Sequence, residues 1–205
     1  APVADDDDDL DYEDDFFLFP LHMKPESSTS VLARHFCDDI AVIRNIAFNL
    51  PFGTKLYVKE HFVNYGNLSL SFYKEIQRIP NVKLIHCDEN TMQLVKRCRA
   101  LITLTSTMGL EALLMNKKIV VLGNVFYECH PNCIKLKDFE NLFSVLNSIE
   151  EPIVDQELSR RFIAAYRCVT YEGNVAYPLY EKQDLNRFTS AMLSALKEYE
   201  NKQED

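Results

Sequence analysis

The chain has 205 residues, 47% of them hydrophobic and 26% charged, an ordinary globular balance with enough length for a substantial core. Its formal charge of −9 comes from one end: residues 1–15 carry eight Asp and Glu13 and no base, and without those nine the remaining 22 Asp+Glu balance 22 Lys+Arg. A neutral body excludes an electrostatic footprint for nucleic acid, and no apolar run approaches the length of a membrane span.

The acidic residues 1–15 repel one another and have nothing to bury, so they read as a solvated, disordered leader or linker. The glycine and spaced glutamate of an EF-hand loop are absent from it. The chain has no initiator Met and no signal peptide, and it reads as a piece of a longer cytosolic protein.

Phe16–Leu21 is an apolar run suited to a buried strand, followed by a loop from His22 to Ser28 in which Pro25 blocks a helix. Leu32, Phe36, Ile40, Ile43, Ala47 and Leu50 recur at three and four, which predicts one long amphipathic helix from about Ser30 to the Pro51-Phe52-Gly53 stop. Leu56–Val58 is a second strand ending in Lys59-Glu60-His61, and a helix near Leu70–Ile79 stops at Pro80. Val82–Ile85 is a third strand, with Asp88 or Asn90 capping a helix over Thr91–Arg99. Ala100–Leu104 is the fourth strand. It breaks into Thr105-Ser106-Thr107-Met108-Gly109 and restarts as a helix at Leu110, Leu113 and Leu114. Ile119–Leu122 is the fifth strand, Ile134–Leu136 a short edge strand, and Asp138–Ile149 a helix. The remainder, 151–205, reads as helices over Gln156–Tyr166 and Leu185–Tyr199, an extension packed on the domain formed by residues 16–150.

Short apolar strands alternating with helices predict an α/β fold, a Rossmann-like parallel sheet with helices on both faces. Ligands of such sheets bind beyond the carboxyl ends of the strands. His22–Glu26, Lys59–His61, Thr105–Gly109 and Gly123–Glu128 all follow predicted strands, so they belong to one rim. The hydroxyls of Thr105, Ser106 and Thr107 either cap a helix or cradle a phosphate, which Gly109 would let approach the backbone. Glu111 either complements the helix dipole or accepts from a ribose diol. Lys59 and His61 suit a phosphate, and a histidine there can protonate a leaving group. His22 and Glu26 form a further polar cluster, with Glu26 placed to orient a sugar or a base. Tyr127 is either a core residue or a platform for a base.

GxxxxGK[ST], GxGxxG and GxSxG do not occur, and Asp-x-Asp falls only in the leader. The six cysteines are scattered. Cys129-His130-Pro131-Asn132-Cys133 is the one string with metal-like spacing, and no second pair completes four ligands. No metal site is expected, and the thiols read as reduced and mostly buried.

Phe19-Pro20-Leu21-His22-Met23-Lys24-Pro25-Glu26, then Val58-Lys59-Glu60-His61, then Thr103–Leu114 with Gly123-Asn124-Val125-Phe126-Tyr127, resembles the bacterial capsule polysaccharide biosynthesis family. Its members are surface-carbohydrate enzymes that include Kdo transferases. They are similar to GT-B glycosyltransferases, especially the sialyltransferases that use CMP-sugars. The resemblance spans about Phe16 to Leu142. It implies the C-terminal, donor-binding domain of a metal-independent transferase, incomplete without an N-terminal domain and needing no cofactor beyond a nucleotide-sugar substrate. It also implies a glycan or glycolipid acceptor and a place in the cytoplasm or at the periphery of the inner membrane. By resemblance His61 falls on a His-Pro motif, Thr105, Ser106 and Thr107 on a phosphate-holding Ser/Thr motif, and Glu111 on a ribose contact. Phe62 stands where the first motif has proline. A sugar-nucleotide epimerase and a non-catalytic carbohydrate-binding or assembly module share the same architecture.

Overall fold

The computed structural model describes residues 14–23, 26–170 and 182–204. The chain runs β1 (Phe16–Pro20), α1 (Ser27–Leu32), a 3-10 turn (Arg34–Phe36), α2 (Asp39–Phe48), β2 (Lys55–Lys59), a second 3-10 turn (Phe62–Asn64), α3 (Leu70–Gln77) and β3 (Val82–Ile85). It continues through α4 (Thr91–Arg97), β4 (Leu101–Thr103), α5 (Met108–Leu114), β5 (Ile119–Val121), β6 (Cys133–Lys135) and α6 (Leu142–Asn147). The sheet domain extends to Asp155. The helices α7 (Gln156–Cys168) and α8 (Lys182–Glu204) form a second unit, and α7 buries none of its side chains.

All six strands are parallel, in the order β3-β2-β1-β4-β5-β6. This is the order of the doubly wound Rossmann sheet, whose chain reverses direction between β1 and β4. Alternation along the strands sends side chains to two faces. Phe17, Phe19, Leu56, Val58, Ile102 and Val120 share one core with Val42, Ile43 and Ile46 of α2, Ile76 of α3, and Leu142 and Leu146 of α6. Their neighbours Phe16, Leu18, Tyr57, Leu101, Ile119 and Val121 are equally buried on the opposite face, where Leu94 and Val95 of α4 and Ala112 and Leu113 of α5 are also buried. Helices on both faces explain why these strands read as continuous apolar runs.

The long helix predicted from Ser30 to Leu50 is instead two helices joined by a 3-10 turn. Asp38 causes the break, because its carboxylate accepts from the Ala41 amide and caps α2. The helix predicted over Asp138–Ile149 shrinks to α6, although Phe139, Val145 and Ile149 still pack against the core. The cap of α4 is Asn90, which accepts from Met92 and Gln93.

Residues 1–13 of the acidic leader lie outside the described residues. Its last two acids are fixed, contrary to the expectation of a disordered 1–15. Asp14 pairs with Lys55 at 2.7 Å and accepts from Tyr57 Oη at 2.6 Å, and Asp15 pairs with Arg99 at 3.4 Å. The Lys55 contact, followed by the Tyr57 hydroxyl, holds the Asp14 carboxyl below its ordinary range. The last segment of the sheet domain is also clasped. Asn132, fully buried, donates from Nδ2 to the Ile153 carbonyl at 2.9 Å and accepts the Ile153 amide on Oδ1 at 2.9 Å. No described helix is long and apolar enough to cross a membrane.

Candidate functional site at the carboxyl ends of the strands

The chain's reversal between β1 and β4 opens a crevice, and side chains span it. His22, just past β1, is buried, and its Nε2 accepts from the Thr105 amide at 3.1 Å. Thr103 Oγ1 lies 3.3 Å from the same nitrogen and accepts from the Ser106 amide at 3.2 Å. A backbone N–H can only donate, so Nε2 is unprotonated and the ring proton is on Nδ1. Asn64, beyond β2, donates to the His22 carbonyl at 2.9 Å. The loops after β1, β2 and β4 are thus tied together beneath the rim. His22 therefore positions the Thr105–Thr107 turn, and it is not among the residues lining the cleft above it.

That cleft, of about 370 Å³, is lined by Lys59, His61, Ser106, Thr107 and Glu111, together with Glu60, Cys87 and apolar neighbours. Lys59 is buried and donates to the Cys87 carbonyl at 2.8 Å. Burial pushes its ammonium below the usual lysine range, against the opposing pull of Cys87, Glu89, Asp88 and Glu60. His61 caps the second 3-10 turn, its Nδ1 accepting from Val63 at 3.2 Å. This leaves Nε2–H as the donor available to a ligand. Phe62, in the place of proline, is exposed and opens that turn. Ser106 Oγ accepts from the Met108 amide at 3.2 Å, the ordinary capping role, whereas the Thr107 hydroxyl makes no capping bond. Glu26 is the N-cap residue of α1, its side chain bonds none of that helix's amides, and it is absent from the cleft. A larger hollow of about 580 Å³ lies on the surfaces of α2 and α3, lined by Arg44, Lys74, Glu75 and Arg78. It offers groove surface without convergent strand ends.

On the far side of the Thr105–Thr107 turn the structure decides between the two readings of Tyr127 and corrects the one given for Gly109. Tyr127 is 1% exposed, so it cannot serve as a platform for a base. Its hydroxyl donates to the Ser106 carbonyl, and burial holds the phenol well above its usual range, hence protonated. Gly109 does not open space for a phosphate, because a Cβ there would stand 2.5 Å from Tyr127 Oη and 2.8 Å from Cζ. The glycine exists to admit the tyrosine. Phe126, given no role of its own in the sequence reading, is 51% exposed and lines a second cleft of about 370 Å³ with Leu32, Thr105, Thr107, Asn124, Val125 and an edge of Tyr127. Thr107 borders both clefts. Gly123 packs where no side chain fits, since a Cβ there would meet the Leu104 carbonyl at 2.5 Å.

Of the six cysteines only Cys98 is buried, against the expectation that most would be. The structure also assembles a group that spacing concealed. Glu60, His86 and Cys87 bring one potential metal-ligand atom each to within 4.8 Å of one another. Glu60 is buried and accepts from the Tyr73 hydroxyl, and burial followed by that contact pushes the Tyr73 phenol up to about 12.

The capsule polysaccharide biosynthesis protein family matches residues 3–131. A curated relative, Protein FixF of Sinorhizobium fredii (strain NBRC 101917 / NGR234), is 32% identical over 73 residues, which cover 36% of this chain and 18% of that one. Among solved structures, the KpsC beta Kdo 2,4 transferase of Thermosulfurimonas dismutans superposes with a TM-score of 0.52 at 20% identity, over 77% of this chain and 46% of that one. The KpsC beta Kdo 2,7 transferase of the same organism gives 0.51 at 14% identity, over 72% and 44%. At such identities the likeness is one of fold, and the chain spans less than half of each of these relatives. With its match covering more than half of its residues, this chain belongs to the capsule polysaccharide biosynthesis protein family.

Proposed function

We propose that this chain is the nucleotide-sugar-binding half of a glycosyltransferase acting in surface polysaccharide assembly. The observation that carries the reading is the cleft beside the β1/β4 reversal, where Lys59, His61, Ser106 and Thr107 line one hollow with Glu111. Lys59 and the Nε2–H of His61 meet the charge of a phosphate, and the Thr107 hydroxyl adds a donor. Glu111 accepts from a ribose diol, and the ring of Phe126 supports a base or a sugar from the adjoining cleft. In transfer, an acceptor hydroxyl attacks the anomeric carbon as the bond to the nucleotide phosphate breaks. The base that removes the hydroxyl proton comes from a partner domain, and His61 stabilises the departing phosphate. The acceptor is a glycan or a glycolipid, met by that domain at the cytoplasmic periphery of a membrane.

Calorimetric titration with CMP, UDP and TDP tests the reading. One of them binds the wild-type chain, and the Ser106→Ala/Thr107→Ala double variant loses that binding with an unchanged circular dichroism spectrum. A chain that binds none of the three is not a nucleotide-sugar module. Sugar turnover by the chain alone would show that it is more than half an enzyme, and solvent deuterium appearing in a UDP-sugar would identify an epimerase.

A further inference from the structure

The ends of β2 and β3 carry a second constellation, which borders the same cleft through Glu60 and Cys87 but differs from its phosphate-binding side in chemistry. Parallel pairing sets Lys59 opposite Ile85, and the Glu60 amide donates to the Ile85 carbonyl at 2.9 Å. The register therefore places Glu60, the first residue beyond β2, beside His86 and Cys87, the first residues beyond β3. Cys87 Sγ lies 3.9 Å from His86 Nδ1. The Asp88 carboxylate closes on both, at 3.6 Å from the sulfur and 3.4 Å from the nitrogen, and the Asp88 amide donates to that nitrogen at 3.3 Å, so a metal would displace this amide or take Nε2. In a tetrahedral zinc site, bonds of about 2.3 Å to sulfur and about 2.0–2.1 Å to nitrogen and oxygen put neighbouring ligand atoms roughly 3.3–3.6 Å apart. The three ligand atoms, all within 4.8 Å, need only a small closure to meet that geometry.

The donor set selects the metal. A thiol, an imidazole and a carboxylate suit zinc, whereas magnesium and calcium require oxygen ligands. Glu60 already has the outer partner that orients a ligating carboxylate, because the Tyr73 hydroxyl donates to Oε1. The nearby Lys59 ammonium is turned to the Cys87 carbonyl. Asp88 and Glu89 add negative charge around the group.

We propose that Glu60, His86 and Cys87 form a zinc site, with Cys87 bound as the thiolate and solvent in the fourth position. Binding releases the thiol proton to solvent, so one zinc–sulfur bond forms as one S–H bond breaks. The metal fixes the His86–Asp88 turn and, through the Cys87 carbonyl, the seat of Lys59. The site stands on its own coordination geometry and does not depend on the glycosyltransferase reading.

The test uses the chain with zinc alone and with cobalt(II) as a spectroscopic substitute. Competition against a chromogenic chelator should show one zinc per chain. Cobalt(II) should give the near-ultraviolet thiolate charge-transfer band, absent in Cys87→Ser and retained in Cys129→Ser/Cys133→Ser. His86→Gln and Glu60→Gln should each weaken zinc at least tenfold, and Tyr73→Phe about tenfold, the scale of an outer-shell loss. Should Cys87→Ser fail to fold, alkylation of the wild-type chain read by peptide mass spectrometry replaces it, and zinc should then protect Cys87 while the exposed Cys168 stays reactive. Absence of stoichiometric binding, a band that survives Cys87→Ser or vanishes in the Cys129/Cys133 variant, or alkylation of Cys87 under saturating zinc would each overturn the site.

Discussion

The ring of His22 accepts the amide of Thr105 at 3.1 Å, joining loops 83 residues apart across the point where the sheet reverses. Removing that ring leaves a partly buried amide without its acceptor, which costs roughly 1–3 kcal/mol. His22→Ala should therefore lower stability by that amount in urea unfolding and loosen the Thr105–Thr107 turn. A variant as stable as wild type would show that the two loops hold without the staple.

Gly109 and Tyr127 fit each other by shape. Because the added methyl of Gly109→Ala meets a rigid buried ring and not a flexible tip, the substitution should destabilise by about 1–3 kcal/mol. In a Tyr127→Leu background the same substitution should cost less, and the measurement is a thermodynamic cycle. Strict additivity would deny the contact.

The adjacent aromatics Phe126 and Tyr127 should separate by phenotype. Tyr127→Phe removes the bond to the Ser106 carbonyl and should lower stability by about 1 kcal/mol. Phe126→Ala removes a half-exposed ring at the second cleft and should weaken nucleotide-sugar binding by about 1–3 kcal/mol, the scale of a lost stacking contact, with little change in melting. The reverse pattern would return the ligand-facing role to Tyr127.

His130 is buried, its Nδ1 accepts from the Asn132 amide at 3.1 Å, and burial, then Lys118, lowers its pKa from 6.5. The folded chain thus holds fewer protons than the unfolded chain just below that pH. Its stabilising effect is complete above pH 6.5 and is lost as the pH falls through the lower folded-state value. His130→Asn keeps an acceptor near Nδ1 without the titration, so its urea stability should decline less between about pH 7 and pH 5 than that of wild type. Parallel declines would assign the acid sensitivity elsewhere.

Much of the architecture was legible because parallel strands buried on both faces announce themselves as apolar runs. Phe16–Leu21, Val82–Ile85 and Ile119–Leu122 each fell on a strand, and Pro51 and Pro80 marked real stops. The break at Asp38 was not legible, since the apolar period runs through it and only a local cap interrupts the helix. The rim residues were legible as a group through the rule that strand ends converge. Their division of labour was not. His22 looks like surface chemistry in sequence and Tyr127 reads equally as core or platform, and packing makes both buried supports. The Glu60, His86 and Cys87 group was invisible to spacing because two strands in register, and not a short motif, bring it together.

Between β1 and β4 the ladder has one bridged pair, Leu18 with Leu101, beside the amides of Leu18 on Ala100 and of Arg99 on Phe16, whereas β1 and β2 share five pairs. The sheet is thus two three-stranded ribbons, each continuous in sequence, sewn at the middle by few stitches. Fragments severed between α4 and β4 would each keep a whole ribbon, so mixing them offers a route to reassembly. In the intact molecule, amide exchange should start along that central suture before it reaches the interior of either ribbon.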